Sequence, residues 1–178
     1  MSPPILCIIG KKNAGKTGLT VALAAELDRR GYRVMTVKHG HGFRLDQPGK
    51  DSWRHRHEGG AQRTVMAGPR DFAVVGGWPS EEMSLAEMVR CFLWDAEIVL
   101  AEGFKSSPEP KIEVFRGEAG GEPLYDAGDP TSARTLAMVT DRPDPALPLP
   151  SFSLVDPDLI PSLATFVVEM CGLGEARP

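Results

Sequence analysis

The chain has 178 residues, 42% of them apolar and 25% charged, with a formal net charge of −4. This composition excludes fibrous and disordered classes and suits one globular domain over residues 1–178. An acidic balance without a basic block excludes the electrostatic footprint of a nucleic-acid binder, and apolar runs such as 5–9 and 21–25 fall well short of the roughly 20 residues that cross a bilayer.

The expected setting is therefore cytoplasmic, without nucleic acid or membrane as a partner. Cys7, Cys91 and Cys171 are widely spaced and odd in number, which reads as reduced thiols in a reducing compartment and not as a disulfide framework.

In chain order, residues 5–9 form a continuous apolar strand. Residues 16–30 carry Leu19, Ala22, Leu23 and Leu27 on one helical face, and Gly31 marks the end of that helix. Residues 33–38, 64–67 and 72–75 are β-rich, the last closed by Gly76 and Gly77. Ser84 opens a helix to residue 93, with Glu87 in the capping-box position. Strands follow at 97–101, 111–115 and 135–139, and a helix over 158–171 is stopped by Gly172. Strand and helix alternate, and several strands are apolar throughout, so both of their faces should be covered. The fold class is α/β: a layered, mostly parallel sheet with helices on both faces.

The run Gly10-Lys11-Lys12-Asn13-Ala14-Gly15-Lys16-Thr17 fits G-x-x-x-x-G-K-[ST], between a strand and a helix as a P-loop requires. Glycines at its ends let the backbone curl round a β-phosphate and turn successive N–H groups inward. The helix dipole faces the phosphates, Lys16 bridges β- and γ-oxygens, and the Thr17 hydroxyl suits Mg2+. Such a site also needs a second carboxylate at the end of a buried strand. Glu102, after Ile98-Val99-Leu100-Ala101, meets that need as the metal-side and catalytic carboxylate, and the Gly103 amide is a candidate to approach a γ-phosphate. A solvated glutamate ending a strand is the plainer account of the same residue.

Residues 38–52 hold Lys38, His39, His41, Arg44, Asp46, Lys50 and Asp51, an unusual charge density for a connection. Asp46 is a candidate to orient the attacking water or hold a magnesium-bound one, whereas Asp51 reads equally well as a helix cap. All four histidines, His39, His41, His55 and His57, lie in this region as paired His-x-His. They raise a metal-site alternative, although zinc wants three or four converging ligands. Asp141, ending the 135–139 strand, is placed to read guanine N1 and N2. The Asn-Lys-x-Asp signature is absent, and a turn before Arg142-Pro143 explains the same aspartate.

Val37-Lys38-His39-Gly40-His41, then Asp46-Gln47-Pro48-Gly49-Lys50-Asp51-Ser52 with Arg54 and Ala61, resemble the molybdopterin-guanine dinucleotide biosynthesis protein B (MobB) family. Leu100-Ala101-Glu102-Gly103-Phe104-Lys105, followed by Pro110-Lys111-Ile112-Glu113-Val114, is similar to that family's second signature. With the P-loop, the matching blocks cover residues 5–116. Gly40, Gly42 and Gly59-Gly60-Ala61 depart from the family pattern and loosen two loops without touching the phosphate chemistry. The resemblance implies a homodimeric P-loop protein that binds GTP and Mg2+. It also implies a partner, the guanylyltransferase that joins GMP to molybdenum-bound molybdopterin, and leaves the pterin itself as a ligand. Neither the P-loop nor the Glu102 segment offers a cis arginine finger, so any GTPase activity should be slow. Arg54, Arg56 and Arg63 are candidates to reach phosphates or pterin across a dimer. The rivals are a small-metabolite P-loop kinase, with Arg116 or Arg134 in its lid, and a nucleotide-gated metal chaperone using the histidine pairs.

Overall fold

The computed structural model describes residues 2–40, 42 and 45–174. The contacts gather into two compact units, 1–39 with 85–178, and 40–84. The elements in chain order are β1 (Ile5–Ile9), α1 (Lys16–Arg29), β2 (Val34–Lys38), α2 (Asp51–His57), β3 (Arg63–Ala67), β4 (Phe72–Gly76), α3 (Leu85–Phe92), β5 (Ile98–Glu102), β6 (Lys111–Phe115), β7 (Thr135–Thr140), β8 (Ser151–Ser153) and α4 (Leu159–Met170). No helix among the described residues is long and apolar enough to cross a membrane.

The larger unit is a six-stranded sheet in the order β2-β5-β1-β6-β7-β8, with every neighbouring pair parallel. Strands β1 and β5 are buried at all their residues, because successive side chains point to opposite, equally covered faces. Leu6, Ile8, Ile98, Leu100, Ile112, Val114, Ala137 and Val139 form one core with Leu23 and Leu27 of α1 and Leu163 and Val167 of α4. Ile5, Cys7, Ile9, Val99 and Ala101 form the other, with Leu85 and Val89 of α3. Each large aliphatic side chain buried here contributes roughly 1.5–3 kcal/mol, so the sheet's centre is its most strongly held part. Burial also pushes the Cys7 thiol up to about 11, which makes it an inert core residue.

Both long helices end as their glycines suggest. After α1, the Gly31 N–H donates to Asp28 O at 2.8 Å and the Tyr32 N–H to Leu27 O at 3.1 Å, with Gly31 at φ 92°. After α4, Gly172 and Leu173 repeat the pattern on Glu169 and Val168. These are Schellman stops, which need a left-handed residue and so favour glycine. Arg30 ties the two helices together, donating to Thr165 Oγ1 at 3.0 Å and to Pro161 O at 2.7 Å. The strand Ser151–Ser153 was not legible in the sequence. Three residues, two of them serine, carry no period, and the strand exists because β7 presents an open parallel edge.

In the smaller unit, β3 and β4 form an antiparallel hairpin with Val65 opposite Val74 and Ala67 opposite Phe72. Those side chains are exposed, Phe72 at 75%. Trp53 stacks on His57 within α2, the ring centroids 4.3 Å apart. Lys50 takes the N-cap position of this helix, leaving Asp51 in its first turn, where its charge suits the helix dipole without capping it.

Glu113 is a buried carboxylate that holds the segment after β6, accepting from Leu124 N–H at 2.6 Å and Tyr125 N–H at 2.8 Å. Burial pushes its carboxyl above the ordinary range, against the pull of those two N–H groups and of Lys11. The folded protein therefore holds this proton more tightly than the unfolded chain does. Relative to Glu113→Gln, wild-type stability should be greatest below pH about 4.5 and decline as pH rises through the raised folded-state value. Urea unfolding of both proteins across that interval checks this, and a pH-independent difference would contradict it.

Candidate functional site

The phosphate-binding candidates lie at the carboxyl edge of the parallel sheet, where open α/β folds bind ligands. Strand β1 runs straight into the loop, so the central strand of the core anchors it. Gly10 has φ 146°, and a Cβ there would collide with the Val114 carbonyl oxygen of β6. Asn13 at φ 64° and Gly15 at φ 101° continue the left-handed turns that draw the backbone into a cradle. Gly15 is the N-cap of α1, without a side-chain cap. The first N–H groups of that helix are thus presented at the loop, the feature an anion exploits.

Around this cradle the structure sets a compact group of charges. The Lys16 ammonium donates to Lys11 O at 2.7 Å, closing the loop on itself. The Thr17 hydroxyl donates to Glu102 Oε1 at 2.8 Å, and the Lys38 ammonium donates to the same oxygen at 2.6 Å. Lys38 and Glu102 are register partners at the ends of β2 and β5. Burial disfavours ionised Glu102, but hydrogen bonds from Lys38 and Thr17 and the nearby ammonium charges, Lys16's included, hold its carboxyl below the usual range. A hydroxyl and an ionised carboxylate side by side are hard oxygen donors of the kind Mg2+ prefers. The donor set fits that ion.

Arg116, at the end of β6, also reaches the loop. Its Nε donates to Ala14 O at 3.1 Å, and its guanidinium covers Gly15, where a Cβ would approach Nε to 3.3 Å. From the sequence this arginine is only a possible lid residue. Its contact with residues 102 positions earlier arises because β6 lies beside β1.

Other candidates have local duties. The Gly103 N–H donates to Ile8 O at 3.0 Å, so the amide offered to a γ-phosphate serves the sheet. Asp141 Oδ1 accepts the Gly117 N–H at 2.9 Å; a guanine edge would have to use its second oxygen. Asp46 lies in the 40–84 unit, where it accepts from Ser52 Oγ at 2.8 Å and from Arg56 Nη1 at 3.2 Å. It fastens the start of α2. Arg54 pairs with Glu58 at 2.8 Å, and Arg63 Nε donates to Gly77 O at 3.5 Å. His39 packs on Phe104, the rings 5.0 Å apart. His41 and Arg44 lie outside the described residues. Among those described, no three His, Cys, Asp or Glu side chains converge as a metal site would need. Lys12 is exposed.

A family model described as molybdopterin guanine dinucleotide synthesis protein B matches residues 5–141. The chain belongs to the MobB family. It is 34% identical over 166 residues to the molybdopterin-guanine dinucleotide biosynthesis adapter protein of Haemophilus influenzae, covering 92% of this chain and 87% of that one. The Escherichia coli K12 protein of the same name is 34% identical over 169 residues, covering 93% and 92%. A crystal structure of molybdopterin-guanine biosynthesis protein B is 25% identical and superposes with a TM-score of 0.68, over 93% of this chain and 99% of that chain. The Bacillus subtilis MobB structure gives the same TM-score at 22% identity, over 93% and 96% of the two chains, a likeness of fold. The α/β P-loop architecture expected from the sequence is therefore the architecture of the family.

Because Gly10 combines a glycine-only backbone angle with a steric stop against β6, Gly10→Ala should destabilise the protein by at least about 2 kcal/mol. Chemical denaturation measures this. A variant within about 0.5 kcal/mol of wild type would show the contact to be readily relieved.

Proposed function

We propose that this chain is a GTP- and Mg2+-binding adapter of molybdenum cofactor biosynthesis. It assists the attachment of GMP to molybdopterin through contact with the guanylyltransferase. The observation that carries the reading is the Thr17–Glu102 pair, 2.8 Å apart at the mouth of a complete P-loop, in a chain whose relatives are named as biosynthesis adapters.

On this reading the loop N–H groups and the α1 dipole receive the β-phosphate. Lys16 exchanges the Lys11 carbonyl for β- and γ-oxygens, a stronger, charge-assisted partner. Thr17 and Glu102 would hold the magnesium, which would supply neutralising charge to the phosphates when bound. Arg116 braces the loop from the side, with its Nε committed to Ala14 O. A guanidinium used as a brace is not poised as a catalytic finger, so turnover of GTP alone stays near 10⁻⁴ to 10⁻³ per second, roughly the level of P-loop GTPases without that group. Slow hydrolysis suits a protein that holds and presents nucleotide in the cytoplasm. The exposed apolar face of the β3–β4 hairpin, with Val65, Phe72 and Val74, supports a homodimer.

Lys16→Ala should lower GTP affinity at least about tenfold with the fold intact, since a charged hydrogen bond is worth about 1.5–3 kcal/mol. Titration of GTP against ATP, with and without Mg2+, also compares the bases, and wild-type affinity in the variant would remove the phosphate assignment. Glu102→Gln should weaken Mg2+-dependent binding more than Mg2+-free binding; equal shifts would place the metal elsewhere.

The role itself is tested by reconstitution. Conversion of molybdopterin to its guanine dinucleotide form at limiting GTP should rise when this protein joins the guanylyltransferase, and should not rise with Lys16→Ala. Equal yields with and without the protein, across GTP concentrations, would leave the adapter role without support.

A further inference from the structure

The oxygens assigned to magnesium are also those held by Lys38. Its Nζ lies 2.6 Å from Glu102 Oε1 and 3.5 Å from Thr17 Oγ1, while Thr17 donates to the same Oε1 at 2.8 Å. The three groups form a closed triangle. Parallel register sets it, since Lys38 and Glu102 stand opposite each other at the ends of neighbouring strands. The Glu102 side chain is 12% exposed and that of Lys38 62%, so a solvent-exposed stem delivers its charge onto a nearly buried carboxylate. This differs from a surface ion pair, in which two solvated charges gain little from meeting. Lys16 makes no such contact, because its ammonium is turned onto the Lys11 carbonyl.

A divalent cation that takes Thr17 Oγ1 and Glu102 Oε1 needs the electron pairs this triangle engages. It would also stand at contact distance from a like charge, which electrostatics forbids unless the ammonium leaves. Leaving is easy for a lysine with a flexible four-carbon stem, provided it has another anion to go to. The triphosphate that the loop is built to receive is such an anion.

We propose that Lys38 is a positioning residue that makes metal entry conditional on nucleotide. Its ammonium guards the Thr17–Glu102 pair against a free divalent cation, then moves to a phosphate oxygen as the cation and nucleotide enter together. The proposal rests on the reading of Thr17 and Glu102 as the metal-side pair. It adds a second lysine to the phosphate site, from the end of β2 and not from α1, with a role distinct from that of Lys16.

The test is Mn2+ binding to the full-length protein, followed by loss of the free aqua-ion signal in electron paramagnetic resonance, without nucleotide and with GTP. Lys38→Met should bind Mn2+ about tenfold or more tightly than wild type without nucleotide, and the added Glu102→Gln change should cancel that gain. With GTP present the advantage should disappear, so the ratio of Mn2+ affinities with and without nucleotide narrows by about tenfold or more. Lys38→Arg keeps the charge and should stay near wild type. Thermal unfolding of each variant checks that it is folded. Unchanged Mn2+ affinity in Lys38→Met, with Glu102→Gln still weakening the nucleotide-dependent site, overturns this inference and spares the metal assignment. If Glu102→Gln leaves Mn2+ binding unchanged in the presence of GTP, both fall.

Discussion

The contact between Gly10 and the Val114 carbonyl is the constraint on which the rest of the site depends. A strand buried on both faces must leave the sheet abruptly if its end is to become a phosphate cradle. Here β1 does so against the backbone of β6. Only a residue without Cβ allows that approach. Because β1 sits in the middle of the sheet, held on both sides by β5 and β6, the cradle inherits the rigidity of the most buried part of the molecule. The loop needs few contacts of its own, and it spends Lys16 on a carbonyl within itself.

The same topology decides the electrostatics. Strands β2 and β5 both end beside the loop, so Lys38, Glu102 and Thr17 meet although they are distant in sequence. Ionised Glu102 is tolerated in a nearly buried position because a hydroxyl and an ammonium satisfy it, as a buried charge requires. On the opposite side β6 brings Arg116 to the Ala14 carbonyl. The cradle is thus flanked by cations from β2 and from the end of β6, strands on either side of β1, an arrangement suited to a polyanion and to the counter-ion that accompanies it.

Several carboxylates hold the chain, two of them, Asp46 and Asp141, candidates for chemistry in the sequence. Asp46 ties Ser52 and Arg56 at the start of α2. Asp141 takes the Gly117 N–H, and Glu113 takes two N–H groups of the segment beyond β6. Asp141 and Glu113 satisfy backbone donors that the irregular chain would otherwise leave unpaired.

Legible along the chain were the P-loop, the alternation of strands and helices, the glycine stops of α1 and α4, and the candidacy of Glu102. All of these are local: apolar period, glycine backbone freedom and octapeptide spacing act within one or two turns of chain. The family blocks added order along the chain, without contacts. That Lys38 lies on Glu102, that Arg116 braces Gly15, that the Gly103 amide donates within the sheet, and that Ser151–Ser153 is a strand emerged from the three-dimensional fold. The physical reason is common to these cases. Parallel pairing joins residues far apart in sequence at one edge, and which side chains meet there follows from strand order and register, quantities to which no single segment's composition is sensitive.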